Sequence, residues 1–96
     1  MDARKAGSLL LPLVVVLAAG CSPERDCREG IKQVRPRVEG AIGTGAHAEA
    51  REQITQAYTD FGQAEELMAA GDYEGCLARL ESARVLLNKS QRTNQQ

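Results

Sequence analysis

Apolar residues recur at intervals of three and four along most of this chain, and that spacing constrains the fold more than any other feature of the sequence. Residues three or four apart lie on one face of an α-helix, so each such stripe predicts one amphipathic helix. Three stripes occur in the 96 residues, and glycine-containing breaks separate them. Their members are Cys27, Ile31, Val34, Val38 and Ile42; Ile54, Ala57, Tyr58, Phe61, Ala64, Leu67 and Met68; and Tyr73, Cys76, Leu77, Leu80, Ala83 and Leu87.

Three helices with short connections predict an all-α fold, a small three-helix up-down-up bundle within residues 21–87. The second helix is expected over about residues 46–70. No alternating apolar run outside residues 1–20 supports a β-strand. The polar residues 88–96 are expected to form a disordered tail.

Local signals mark where the helices begin and end. Ser22 is a favoured N-cap residue, and Pro23 suits the first position of a helix. Pro36 is expected to kink the first helix or to end its regular part, because proline lacks the amide proton. Gly71 predicts the end of the second helix, and Asp72 is expected to cap the third.

Residues 1–20 have the features of a cleaved secretory signal peptide. Arg4 and Lys5 give a cationic start, and residues 9–19 are almost wholly apolar. A helix of that length rises only about 16 Å, roughly half of a bilayer core, so a stable membrane span is not expected. The alternative is a buried N-terminal helix, which Pro12 and the uninterrupted apolarity fit poorly.

The segment Ala18-Ala19-Gly20-Cys21 resembles the lipobox of bacterial lipoproteins. The leucine preferred in that motif stands one place early, at Leu17, and Ala18 takes its usual position. The resemblance implies cleavage before Cys21, a diacylglycerol on its sulfur, and a further acyl chain, such as palmitate, on the new N-terminus. Two or more acyl chains hold a protein stably on a membrane, so Cys21 is predicted to be a lipid anchor. An ordinary soluble secreted protein is the alternative.

The residue after Cys21 and the charge of the processed chain bear on where the protein would act. In Gram-negative lipoproteins an Asp after the lipidated cysteine tends to retain the protein in the inner membrane, so Ser22 implies an outer-membrane protein facing the periplasm.

Without residues 1–20 the chain has 10 basic and 12 acidic residues, a net charge of −2. This balance argues against nucleic-acid binding.

Cys27 and Cys76 are the cysteines that remain for pairing once Cys21 is assigned to the lipid. The compartment beyond a signal peptide is oxidising, so a disulfide between them is predicted. In an up-down-up bundle the first and third helices are parallel, and both cysteines lie near the starts of those helices. The bond would close a loop of about 49 residues and stabilise the fold by about 4 kcal/mol in the chain-entropy model. Two free buried thiols are the alternative.

Residues 57–88 resemble one helical hairpin of the tetratricopeptide family. The turn Gly71-Asp72-Tyr73 is a common form of the turn in that family. The other matching positions are Ala64 at the small position of the first helix, Leu67 where a Tyr is typical, and Cys76, Leu80 and Ala83 at the Ala, Phe and Ala positions of the second helix.

The match departs from the family pattern at Asp60 and Gln63, where large apolar residues are usual, and at Asn88, where a proline closes the repeat. An array needs about three repeats to be stable, and no second copy is found. The resemblance implies a binding module that acts through protein contacts, and in such a module Cys76 would face the second helix. The alternative is that any short helical hairpin with this turn shares these features.

The sequence offers no arrangement for catalysis or metal binding. His47 is the only histidine, and a capping or solvated role at the start of the second helix is expected, because no ligand cluster accompanies it. Glu65 and Glu66 diverge by about 100° on a helix, a poor arrangement for an acid–base pair. The glycines of residues 40–45 precede no Lys-Ser/Thr and predict a connection, not a phosphate loop. We therefore expect no enzyme activity, no cofactor and no small-molecule substrate.

Arg28, Lys32 and Arg35 form a basic stripe on the first helix, close to the predicted anchor. Such a stripe could contact anionic lipid headgroups or phosphates, or a partner. Alternatively, it is solvated and paired locally on the helix surface. The available pairs are Glu24 with Arg28 and Arg25 with Glu29.

Two classes of function follow from these features. The first is an adaptor that presents a helical surface to an envelope protein in the periplasm, as the hairpin resemblance implies. The second is a structural or stress-response component of the envelope that contacts lipid or cell wall, which the basic stripe favours.

Overall fold

The computed structural model describes residues 22–96 and consists of three α-helices packed against one another. Helix α1 spans Pro23–Ala41, α2 spans Ala48–Ala69 and α3 spans Tyr73–Asn94. No strand occurs in this part of the chain. The prediction of an all-α three-helix bundle is confirmed, whereas the predicted signal peptide and the anchor at Cys21 lie outside the described residues.

The helix ends follow from local sequence. The Oγ of Ser22 accepts a hydrogen bond from the backbone amide of Arg25 at 3.4 Å, and Asp72 accepts one from the amide of Gly75 at 3.0 Å. After α2, Gly71 takes a left-handed backbone conformation with a φ of 85°. The amide of Asp72 donates to the carbonyl of Leu67 at 2.9 Å, which closes the turn that a left-handed glycine permits.

Helix α1 continues without a break past Pro36, so the expectation that its regular part ends there is wrong. Val34 and Val38 are each 1% exposed on either side of the proline, and this apolar face stays packed on the bundle. Pro36 itself is exposed, so the carbonyl that loses its helical partner can be hydrated.

The predicted disordered tail over residues 88–96 is also wrong, because α3 continues to Asn94. Ser90 is 3% exposed, and Asn94 accepts a hydrogen bond from the amide of Ala46 at 3.0 Å. Polar side chains therefore join the end of α3 to the connection between α1 and α2.

Contacts between α1 and α3 identify the two ends of the bundle. The Sγ atoms of Cys27 and Cys76 meet at disulfide distance, with their Cα atoms 6.0 Å apart. Towards the other end, Arg37 donates to the side-chain carbonyl of Asn88 at 2.9 Å. Helices α1 and α3 are therefore parallel. We call residues 22–33 and 62–82 the disulfide half, and residues 34–61 and 83–96 the distal half.

The hydrophobic core is a single cluster to which all three helices contribute. Gly30 of α1 lies against Leu80 of α3, and a Cβ placed on this glycine would come within 2.7 Å of the Leu80 Cδ1. Close approach of α1 and α3 therefore needs a glycine there. The buried members of the core are Cys27, Ile31, Val34, Val38, Ala57, Phe61, Ala64, Cys76, Leu80, Ala83 and Leu87.

Candidate functional site

An open seam between α1 and α2 is the most distinctive surface of the described residues. Helix α3 packs more extensively on both other helices than they pack on each other, so the seam stays uncovered. Side chains at helical spacing line its walls, and we call this surface the α1–α2 groove. Its lining residues are Arg35, Val38, Glu39 and Ile42 from α1 and its end, and Arg51, Ile54, Thr55, Tyr58, Phe61, Gly62 and Glu65 from α2.

The end of the groove farthest from the disulfide opens into a cleft of about 260 Å³. Ile42 and Tyr58 stand at this cleft, and they are 55% and 56% exposed. Both belong to the stripes that predicted the core, so for these two residues the core prediction is wrong. The physical reason is that α1 and α2 each turn one side of their apolar face towards the open seam, which no other helix of residues 22–96 covers.

The opposite end of the groove is closed by an ion pair. The guanidinium of Arg35 lies 2.6 Å from the carboxylate of Glu65 and 5.7 Å from the centroid of the Phe61 ring. The charge of Arg35 is thus compensated by a carboxylate and by an aromatic face. This pair links α1 to α2 and sets the limit of the open part of the groove.

Gly62 lies on the groove wall between Tyr58 and the Arg35 ion pair. A Cβ placed there would meet no atom within 4 Å, so the bundle itself gives no packing reason for the glycine. A glycine inside a helix destabilises it by about 1 kcal/mol relative to alanine. Its effect here is to leave the backbone of α2 bare at the groove.

Arg51 is the cation of the distal cleft. Its Nη1 donates to the backbone carbonyls of Gly45 and Ala46 at 3.2 and 3.3 Å, which holds the α1–α2 connection against α2. None of the ion pairs within residues 22–96 includes Arg51. The cleft therefore combines apolar walls with a positive charge that no carboxylate compensates.

Charge is distributed unevenly between the halves of the bundle. The disulfide half has 4 basic and 8 acidic side chains, whereas the distal half has 6 basic and 4 acidic ones. The net charges are thus −4 and +2. The positive balance of the distal half comes from residues 83–96, which have 3 basic and no acidic side chains and do not line the groove.

The predicted basic stripe is paired with carboxylates throughout. Only its last member, Arg35, reaches the groove, and there it is held by Glu65. The locally paired arrangement expected for Arg28 and Glu24 is present. The three pairs are Arg28 with Glu24 at 2.7 Å, Lys32 with Glu29 at 3.6 Å, and Arg35 with Glu65 at 2.6 Å.

A buried polar cluster joins α2 to α3 on the other side of the bundle. Asp60 is 2% exposed, accepts a hydrogen bond from the Ser82 hydroxyl at 2.5 Å and lies 3.7 Å from Arg79. Nearby, the buried side-chain oxygen of Gln63 has no hydrogen-bond partner within the described part of the chain. Asp60 and Gln63 are the two positions at which the sequence has polar residues where the tetratricopeptide pattern has large apolar ones.

The remaining predicted site residues fall in the following places. Cys76 faces Cys27 of α1, so it bonds away from its own hairpin partner. His47 is the N-cap residue of α2 and makes no capping hydrogen bond with its side chain. Across residues 22–96, no three His, Cys, Asp or Glu side chains cluster as a metal site would require.

Sequence reasoning did not find the groove or the charge of Arg51. One sequence feature did indicate an exposed apolar residue on α2, namely that Ala57 and Tyr58 are adjacent members of one stripe. Adjacent positions on a helix diverge by about 100°, so both could be buried only if packed on two sides. Ala57 is fully buried and Tyr58 is the residue left outside.

The fold and the groove define a small disulfide-linked three-helix bundle with an exposed groove between α1 and α2. No protein family, no curated protein and no solved structure matches this chain. None of its described helices combines the length and apolarity needed to cross a membrane.

Proposed function

We propose that this chain is a small lipid-anchored lipoprotein of the bacterial envelope that acts as a protein-interaction adaptor in the periplasm. The observation that supports it best is the exposed apolar groove. Ile42 and Tyr58 are more than half exposed and stand beside one cleft, and apolar side chains gathered in this way are typical of interaction sites. The proposed anchor is Cys21, and the proposed membrane is the outer one.

The position of the groove relative to the proposed anchor supports this function. Helix α1 begins at Pro23, directly after Ser22, so no flexible spacer would separate a lipid on Cys21 from the bundle. Its 19 residues extend over about 28 Å, and the distal cleft lies beyond their end. A partner in the periplasm could therefore reach the cleft, while the acidic disulfide half lies next to the anchor.

The alternative proposal is a structural or stress-response component that contacts lipid or cell wall. It would rely on the basic stripe near the anchor. It draws less support, because each cation of that stripe has a carboxylate within 4 Å, and the half that holds most of it has a net charge of −4. Such a surface attracts anionic headgroups weakly.

The anchor can be tested by the intact mass of the protein from a membrane fraction, alkylated without reduction. We expect a mass that lacks residues 1–20, carries three acyl chains and has no alkyl group on any cysteine. A mass without lipid would contradict the anchor at Cys21.

The adaptor function can be tested in cells with a photo-crosslinking amino acid at Tyr58. Val85, which is 43% exposed on α3 and lines no part of the groove, is the matched control position. Discrete protein adducts from position 58 and not from position 85 are expected. Adducts only with lipid or cell wall would favour the alternative, and equal protein adducts from both positions would contradict a specific groove.

A further inference from the structure

We propose that the α1–α2 groove receives an amphipathic helix of a partner protein, with its apolar residues in the groove and an acidic residue against Arg51. This inference rests on the proposed adaptor function and names the chemistry of the partner.

The walls of the groove favour a helix over an extended peptide. Both walls are helices whose backbone hydrogen bonds are internal, so they offer no strand edge with which an extended peptide could pair. Recognition must therefore use side chains. An occupying helix that presents apolar residues at intervals of three and four would meet the matching periodicity of the walls.

The length of the groove sets the length of the occupant. From Arg51 to Glu65 the α2 wall extends over about 21 Å, which corresponds to about four helical turns. The cleft of about 260 Å³ beside Tyr58 has room for one large apolar side chain of the occupant. At the other end the Arg35–Glu65 pair is already satisfied, so the occupant gains little by extending past it.

Gly62 lets the two helices approach closely. The bundle leaves the space above this residue empty, and no side chain separates the α2 backbone from the groove. A helix that lies along the groove could therefore contact backbone atoms at this level. A larger side chain at position 62 would fill the groove without touching the core.

Charge selects an acidic occupant and also orients it. Arg51 has no ion pair within residues 22–96, whereas Arg35, the other cation that lines the groove, is paired with Glu65. An acidic residue placed against Arg51 would form a charge-assisted hydrogen bond with the one groove cation that lacks a carboxylate partner within residues 22–96. Glu39 lies on the opposite wall, so the acidic side of the occupant faces α2 and not α1.

The test uses two synthetic 16-residue helical peptides with identical apolar residues at helical spacing. Their rim residues are acidic in one peptide and basic in the other. Fluorescence anisotropy would measure their binding to the oxidised full chain in neutral phosphatidylcholine nanodiscs. We expect the acidic peptide to bind about tenfold more tightly than the basic one, and rising salt to reduce this difference.

Two pairs of variants locate the binding. Gly62→Leu is expected to weaken binding of the acidic peptide about tenfold or more. Gly40→Leu is the control, because Gly40 is also a helical glycine with open space. It should leave binding unchanged, since Gly40 lies outside the groove. Arg51→Gln should abolish the preference for the acidic peptide, and Arg92→Gln, which removes a distal cation outside the groove, should preserve it. Thermal unfolding of the oxidised variants checks that each is folded.

The outcomes separate this inference from the adaptor function. Three outcomes would overturn the inference that the groove receives an acidic helix. They are equal binding of the two peptides, no binding of either, and equal effects of Gly62→Leu and Gly40→Leu. If protein adducts still form from position 58 in cells, the adaptor function stands while this inference fails. If no protein adduct forms there, the adaptor function fails, and the inference fails with it.

Discussion

The two halves of the bundle are held together in different ways. In the disulfide half a covalent bond joins α1 to α3, and Gly30 allows Leu80 to pack closely between them. In the distal half the helices are joined by part of the same apolar core and by hydrogen bonds from polar side chains, and Ile42 and Tyr58 remain exposed beside the groove. The covalent bond and the most exposed apolar residues thus lie at opposite ends of the bundle, so loss of the disulfide should reduce stability most, and changes at Ile42 and Tyr58 should reduce it little.

The largest expected effect comes from breaking the disulfide. The paired variant Cys27→Ala/Cys76→Ala should lower the free energy of unfolding by about 4 kcal/mol, because the bond constrains a long loop of the unfolded chain. Denaturant titration with and without reductant measures this loss. The reduced wild-type protein should match the variant, and a variant as stable as the oxidised wild type would show that the noncovalent contacts of the bundle hold the fold without the bond.

A second change compares an apolar residue from each half. Leu80→Ala should lower the free energy of unfolding by about 3 kcal/mol, because the Leu80 side chain is fully buried and its loss leaves a cavity. Tyr58→Ala should lower it by less than about 1 kcal/mol, since Tyr58 is 56% exposed. Chemical denaturation measures both, and losses of similar size would mean that the groove contributes to the core.

The third prediction concerns the polar cluster that joins the halves, because Asp60 lies in the distal half and Ser82 in the disulfide half. Asp60→Ala should lower the free energy of unfolding by about 2 kcal/mol, since it leaves the Ser82 hydroxyl and the Arg79 charge without their acceptor. A double-mutant cycle with Ser82→Ala measures the coupling. Additive losses from the two single variants would show that the hydrogen bond contributes no stability of its own.

The sequence correctly predicted the three helices and the pairing of Cys27 with Cys76 at disulfide distance. Helical spacing located all three helices, and the parallel first and third helices placed Cys27 and Cys76 at one end, where the structure has them. Both predictions depend on periodicity and chain order, which are properties of the sequence itself. The lipid anchor at Cys21 remains a prediction, as does the adaptor function.

What the sequence could not predict depends on contacts between distant residues. Polarity alone predicted a disordered tail, but Asn94 is ordered by a partner 48 residues away. Apolarity alone predicted that Tyr58 is buried, but burial also depends on how many neighbours the bundle can supply. The pairing of Arg35 with Glu65, 30 residues apart, likewise could not be read from spacing along one helix.

The smallest expected effect distinguishes two helical glycines of the disulfide half, one packed against α3 and one facing the groove. Gly62→Ala should raise the free energy of unfolding by about 0.5–1 kcal/mol, because alanine restricts the unfolded chain and its methyl group would enter open space. Gly30→Ala should give no such gain and should lower stability, since its Cβ would lie 2.7 Å from the Cδ1 of the fully buried Leu80 side chain, which would have to shift within the core. Thermal and chemical unfolding of both variants measure the difference. The added methyl group would also enter the space proposed for the occupant, so Gly62→Ala should weaken peptide binding while it stabilises the fold.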